Sequence, residues 1–391
     1  MERKEIELLM REIFTSNEAA EYLNISTQRL NQLVHEGKLK PVKTSKSIML
    51  FLRQDLDQRK VTNITSNTTP DSDTFNIDTQ YIRDAILFYT IEQYFNFSDK
   101  KTSKFIDEIT NTHSFDYRAG LKQNIRLLSS LLKISENQFY DTYTKVKTSF
   151  QSLPNDVILI KKGDGIYPNL LLKTEEAPAY LFLKGDISLL NEKSICVVGS
   201  RNASNESLKK TEALVKSLIK RNIVVNAGLA KGIDTATHNT ALYNGGKTIA
   251  VIGTPINQFY PKENKDLQVD ISKKGLLVSQ FPPCNPVNRW NFPTRNGVMS
   301  GISVATVIME AGETSGALKQ ADYALKQGRT VLIPKSAVDS SLITWPKKYI
   351  ERGAHQFANL KEVLQTLNGN DVLKNLFDKT ADEEIEDVEM D

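Results

Sequence analysis

Three short stretches carry residue types suited to holding an anion. Gly199-Ser-Arg201 joins a glycine, which lets a ligand approach the backbone, to the hydroxyl of Ser200 and the guanidinium of Arg201. A guanidinium can grip a phosphate through two parallel hydrogen bonds. Gly228-Leu-Ala-Lys-Gly232 is a turn bounded by Gly228 and Gly232, with Lys231 at the start of a helical stretch. Helix N-termini present free amides and positive partial charge, so this turn predicts a phosphate cradle. Glu310-Ala-Gly-Glu-Thr-Ser-Gly316 is a third such turn, closing on the hydroxyl of Ser315 and the open backbone of Gly316. Each alone is an ordinary glycine turn. Three on successive elements suit a ligand carrying several phosphates.

Other chemistries find no support in the spacing. Gly-x-x-x-x-Gly-Lys-Ser/Thr is absent, and no Gly-x-Gly-x-x-Gly follows the first strand of this region. No Ser-His-Asp set or carboxylate pair stands out. The two cysteines, Cys196 and Cys284, offer neither a disulfide framework nor a Cys-rich zinc site. His238 reads as a helix-packing or surface residue. The expectation is a binding site with no catalytic residue and no metal.

The turns need strands behind them, and the sequence supplies these. Ser194–Val198, Ile223–Asn226, Lys247–Gly253, Gly275–Ser279, Ala305–Glu310 and Arg329–Pro334 are short apolar runs, most separated by helix-length amphipathic stretches. Continuous apolar runs fit strands covered on both faces. The predicted fold is therefore α/β, a doubly wound and mainly parallel sheet with ligands beyond its carboxyl edge. Five segments are expected: a winged helix-turn-helix over 1–60, a linker over 61–77, a helical segment over 78–150, the Rossmann-like domain over 151–368, and an acidic tail over 369–391.

The N-terminal module carries its own signals. Thr15 and Glu18 have capping-box spacing ahead of a first helix, Ser26 can cap a second over Thr27–His35, and Gly37 ends it. Two short strands, around Lys38–Lys43 and Ile48–Leu52, then form a wing. The order of features resembles the excisionase-like branch of MerR-type winged DNA-binding domains. Under that resemblance Thr27, Gln28 and Arg29 face the major groove, and Lys43, Lys46 and Arg53 contact phosphates.

With 391 residues, 40% hydrophobic and 25% charged, the chain has material for two or three globular domains. No apolar run approaches the roughly 20 residues that span a bilayer, and no signal-like segment opens the chain, so a cytoplasmic protein with no membrane partner is expected. The net charge of +3 hides an acidic end, Ala381-Asp-Glu-Glu-Ile-Glu-Asp-Val-Glu-Met-Asp391, which leaves the remainder more basic.

Ordered matches over residues 167–357 resemble the DprA/Smf family of DNA-processing proteins. They include Tyr167-Pro168, Gly199-Ser-Arg201, Ala227–Asp234, Tyr260–Asn264, Asn291–Asn296 and Ser315-Gly316. The resemblance implies an extended Rossmann-like domain, binding of single-stranded DNA, a homodimer, and loading of RecA with no cofactor and no turnover. It places Ser200, Arg201, Asn226, Gly228, Lys231, Gly232, Asn264, Arg295, Asn296, Ser315 and Gly316 against the strand. Arg295 is alternatively an internal partner of Glu310. Departures occur at Asn226 (usually serine), Pro255 (glycine), Gln280 (glutamate) and Gly297 (the second arginine of Arg-Asn-Arg). Gln280 and Pro255 are expected to alter a polar pocket, and Gly297 to thin the basic surface. Two other functions remain open: a nucleotide sensor or hydrolase of the same superfamily, related to the LOG-type phosphoribohydrolases, and a regulator reading duplex DNA through the N-terminal module. A mobile-element or phage-defence setting is compatible with the added module.

Overall fold

The start signal at Thr15 is realised as a reciprocal cap. The Thr15 amide and hydroxyl both donate to Glu18 Oε2 at 2.8 Å, and the Glu18 amide returns a 3.5 Å contact to Thr15 Oγ1. In the computed structural model, residues 13–23, 26–44, 49–52, 55–56, 75–113 and 115–369 are described. They fall in two compact units, Met1–Asp71 and Ser72–Asp391.

The first unit holds β1 (Ile13–Thr15), α1 (Ser16–Tyr22), α2 (Thr27–His35), β2 (Lys43–Thr44) and β3 (Met49–Leu52). Ser26 caps α2 by accepting from the Arg29 amide at 3.1 Å. Ala19, Ala20, Leu23, Leu30 and Leu33 let the helices cross over Phe51. The sheet has order β1-β3-β2, both pairings antiparallel. Its outer strand β1 is an addition to the expected two-stranded wing; three residues before a cap are too few to show a period. Thr27, Gln28 and Arg29 are exposed on the first turn of α2, and Lys43 is exposed on β2. Lys46, Arg53 and most of the expected linker lie outside the described residues, as does all but the first residue of the expected acidic tail.

The second unit opens with α3 (Gln80–Gln93), α4 (Asp99–Thr112), α5 (Leu121–Leu132) and α6 (Glu136–Gln151). Its strands are β4 (Ile158–Lys161), β5 (Tyr180–Gly185), β6 (Ser194–Val198), β7 (Val224–Ala227), β8 (Thr248–Val251), β9 (Leu276–Ser279), β10 (Ala305–Ile308), β11 (Thr330–Pro334) and β12 (His355–Phe357). They form one sheet of order β12-β11-β10-β6-β7-β8-β9-β5-β4. Pairing is parallel from β12 to β9, and β5 and β4 add antiparallel at one edge. The helices that bear on the site are α8 (Asn205–Lys220), α9 (Ile233–Tyr243), α11 (Asn291–Gly301) and α12 (Gly316–Lys326); α7 (Asn169–Leu172) precedes them in the chain and α10 (Lys265–Lys274) lies between α9 and α11.

The helical segment shares a core with the sheet edge. Ile82, Ile86, Phe88 and Tyr89 of α3 and Phe150 of α6 pack with Tyr180, Phe182 and Leu277. The rings of Phe88 and Tyr89 stand 5.5 and 5.7 Å from that of Tyr180. Such edge and tilted contacts add to area burial. Among the described residues no helix is long and apolar enough to cross a membrane.

Candidate nucleic-acid interface

Strand order reverses beside β6: the chain proceeds from β6 to β7 on one side, while β10 pairs β6 on the other. The turns leaving β6 and β10 therefore diverge and open a crevice at their carboxyl ends, the usual ligand position in such sheets. A cleft of about 720 Å³ lies there. Gly199, Ser200 and Arg201 form one lip, Gly312, Thr314, Ser315, Gly316 and Ala317 the other, and Phe292, Arg295 and Asn296 of α11 a wall. Two of the three expected turns meet in it, and the third contributes Ala230 and Asp234.

The turn at 228–232 is not an empty cradle. The amides of Gly228 and Ala230 donate to Asp234 Oδ2 at 3.0 and 3.2 Å, so an internal carboxylate holds the place expected for a phosphate. Asp234 is buried, which raises its pKa, while Arg295 and the two amides work the other way. Gly228 has its own constraint, since a Cβ there would stand 2.4 Å from Arg295 Nη1. Gly232 has φ +73°, and a Cβ there would come within 2.2 Å of Ser200 O. The turn is built to bring β7 close under the Ser200 lip. Lys231 remains exposed beside a smaller recess, where its Nζ pairs with Glu263 Oε1 at 2.6 Å.

Several expected contacts are turned inward. Asn226 is fully buried and donates to Met299 O and Ser303 Oγ at 3.2 and 3.0 Å, tying β7 to α11. Asn264 is buried and donates to Leu229 O, Ala230 O and Thr235 Oγ1, which shapes the turn from behind. Arg295 is 6% exposed and donates to the carbonyls of Gly228 and Val251. It does not pair with Glu310, whose carboxylate instead accepts from the amide and hydroxyl of Ser204 at 3.0 and 2.8 Å. Asn296 lines the cleft but donates to Gly316 O at 3.3 Å, joining α11 to the opposite lip. These four residues brace the site.

Gly297 also has a different setting from the one expected. A Cβ there would meet Glu176 Cγ at 2.7 Å and Tyr323 Cε1 at 3.3 Å, so the position is packed inside and the glycine does not thin the cleft's basic surface. Gln280 does line a polar pocket, a second one beside α11.

Ser200, Arg201, Ser315 and Gly316 reach the cleft. Arg201 is exposed, and among the described residues it donates to no other group. Three further residues escaped the sequence reading. Arg289 joins Arg201 on the rim, and Tyr260 and Phe292 put two rings 4.9 Å apart at its mouth. Trp290 follows Arg289 and is 80% exposed. An Arg-Trp pair in a Pro-rich loop was the available signal. Among the described residues Asp234 is the one carboxylate lining the cleft, so cations and aromatic faces dominate it.

His238 is fully buried, with Nδ1 2.7 Å from Thr248 Oγ1. Burial pushes its pKa down to about 3 and keeps it neutral. Among the described residues no group of three or more His, Cys, Asp or Glu side chains is placed to hold a metal ion.

The family profile described as DNA recombination-mediator protein A matches residues 158–368, more than half of the chain. The chain belongs to the DprA/Smf family. A second profile, described as a helix-turn-helix domain, matches residues 13–60. The DNA processing protein DprA of Streptococcus pneumoniae is 38% identical over 230 residues, which cover 59% of this chain and 79% of that protein. The DprA of Bacillus subtilis is 31% identical over 243 residues, covering 62% and 81%. The X-ray structure of the pneumococcal DprA superposes with a TM-score of 0.59 at 30% identity, covering 73% of this chain and 97% of that one. The family span begins at β4 and ends at α15 (Leu360–Asn368), so it takes in the whole sheet and its cleft.

Proposed function

We propose that this chain binds single-stranded DNA along the cleft between the β6 and β10 turns and acts as a recombination mediator by binding, without turnover. The carrying observation is the presence in one cleft of two exposed guanidiniums, Arg201 and Arg289, beside the exposed ring of Tyr260 and the half-buried ring of Phe292. Cationic grooves that track phosphates, with aromatic plates that stack bases, hold single strands without regard to sequence. Membership of a family of recombination mediators supports the same reading. Ser200, Ser315 and Gly316 would supply close contacts, and Lys231 a further phosphate contact once released from Glu263. The N-terminal module would read duplex DNA through Thr27, Gln28 and Arg29, with Lys43 on its wing. A homodimer, hand-over to RecA and a cytoplasmic location belong to this proposal.

The hydrolase reading is less well supported. Glu310, the carboxylate at the end of β10, is engaged by Ser204. Hydrogen bonds from Ser207 and Ser204 outweigh its partial burial and hold its pKa below the usual range, which does not suit a proton donor.

Fluorescence anisotropy of a labelled single strand and a matched duplex, across a salt series, tests the proposal. Steeply salt-dependent single-strand binding should survive deletion of residues 1–60, while duplex preference should vanish. Absence of single-strand binding by the full chain would move the cleft to the mononucleotide-sensor class.

A further inference from the structure

Helix α11 has a second side. Phe292, Arg295 and Asn296 face the cleft described above, whereas Trp290, Asn291 and Thr294 line a separate pocket of about 390 Å³. Its other walls come from the α3–α4 junction and from the loop after β9, with Glu92, Asp99, Gln280, Phe281 and Asn285 among them. The volume lies in the range of sites that take a small organic ligand.

The polar groups in this pocket are unusual for a packing defect. Glu92 is 4% exposed, and no hydrogen bond or ion pair holds its side chain among the described residues. Asn285 is 5% exposed, and its side-chain oxygen has no partner; Gln280 Oε1 has none either. Buried polar groups without partners cost free energy, and such groups in a native chain call for a ligand or another explanation. Burial, reinforced by neighbouring Asp99, raises the Glu92 pKa well above the carboxylate range, which favours its protonated form. A neutral carboxyl both donates and accepts, as an amide does.

We propose that this pocket receives a nucleobase, whose edge pairs with Glu92, Asn285 and Gln280 while its face meets Phe281 and Trp290. The proposal rests on the single-strand reading for one source of the base, a nucleotide turned over Trp290 from the neighbouring cleft. A free nucleoside is the other source. An organic cation suits the pocket less well, because Glu176 already pairs with Lys326 at 2.7 Å, Glu175 does so at 3.2 Å, and Asp99 accepts from the Ala179 amide at 2.9 Å.

The test compares a 15-nucleotide single strand with the same strand carrying base-free residues at its centre, using the full chain, Glu92→Leu and Asn285→Leu. The parent is expected to prefer the base-bearing strand by about tenfold, within the range of base–aromatic stacking. Both variants should lose that preference and keep the parent's affinity for the base-free strand. Glu92→Leu removes a partnerless buried carboxyl, so it should melt at or above the parent's temperature, which separates loss of binding from loss of fold. Free deoxynucleosides, added alone, should quench the emission of exposed Trp290 in the parent and not in Glu92→Leu; buried Trp345, at 3% exposure, is shielded. Equal affinity for the two strands together with no nucleoside quenching overturns the pocket. Quenching by butylammonium with none by nucleosides also overturns it. Failure of the parent to bind either strand, with Glu92-dependent quenching retained, would overturn the single-strand proposal and leave the nucleobase pocket standing.

Discussion

Replacing Arg201 by alanine is expected to weaken single-strand binding by about tenfold near 0.1 M salt and to flatten the salt slope by roughly 0.7. The side chain is exposed on the cleft lip and pairs with nothing among the described residues, so its removal costs the fold little. Lys231→Ala should do less, because its ammonium already pairs with Glu263 and the strand must first displace that carboxylate. By the same argument Glu263→Gln should strengthen binding. Anisotropy titrations at three salt concentrations resolve all of these effects. An unchanged affinity and slope in the Arg201→Ala, Lys231→Ala double variant would remove the strand from this lip.

The second large effect is on stability. Arg295→Met should destabilise the second unit by about 3–5 kcal/mol, the usual cost of removing one partner from a buried charge arrangement. Arg295 is buried opposite Asp234 and supplies donors to two carbonyls, those of Gly228 and Val251. Without it both carbonyls lose a donor, and the buried Asp234 carboxylate is left with the two amides and the more distant Arg201 charge. Adding Asp234→Asn should recover part of the loss, since the uncompensated charge is then gone. Urea unfolding of the parent, single and double variants measures the difference. Equal midpoints for parent and Arg295→Met would mean that the Gly228 and Ala230 amides suffice to stabilise Asp234.

Much of the α/β sheet was legible because its strands are buried on both faces and read as unbroken apolar runs; β6, Ser-Ile-Cys-Val-Val, is buried at every position. Glycine turns after such runs marked the right end of the sheet, which placed Ser200, Arg201, Ser315 and Gly316 at the cleft. Side-chain direction was not legible. Asn226 and Arg295 have the residue types of a nucleic-acid contact, yet the carbonyls that hold Arg295 come from two other strands' ends, and no local pattern encodes that meeting. Arg289 and Trp290 lie in a loop, where periodicity has nothing to report. The helical segment showed apolar stripes without revealing what they face. The answer, Tyr180 and Phe182, lies on an edge strand well downstream.

That shared aromatic core inverts the order of synthesis and the order of burial. The apolar face of α3 leaves the ribosome early, but Tyr180 follows about a hundred residues later and Leu277 nearly two hundred later. Phe150 of α6 can cover part of this face sooner, but at roughly 5–20 residues per second the part that meets the sheet edge stays uncovered for about ten to forty seconds. Nascent chains arrested before Tyr180 should be cut within α3 by a dilute protease, and chains carried beyond Leu277 should resist. The interval is a window in which a chaperone, or a second nascent chain on the same message, competes with the chain's own sheet for those rings.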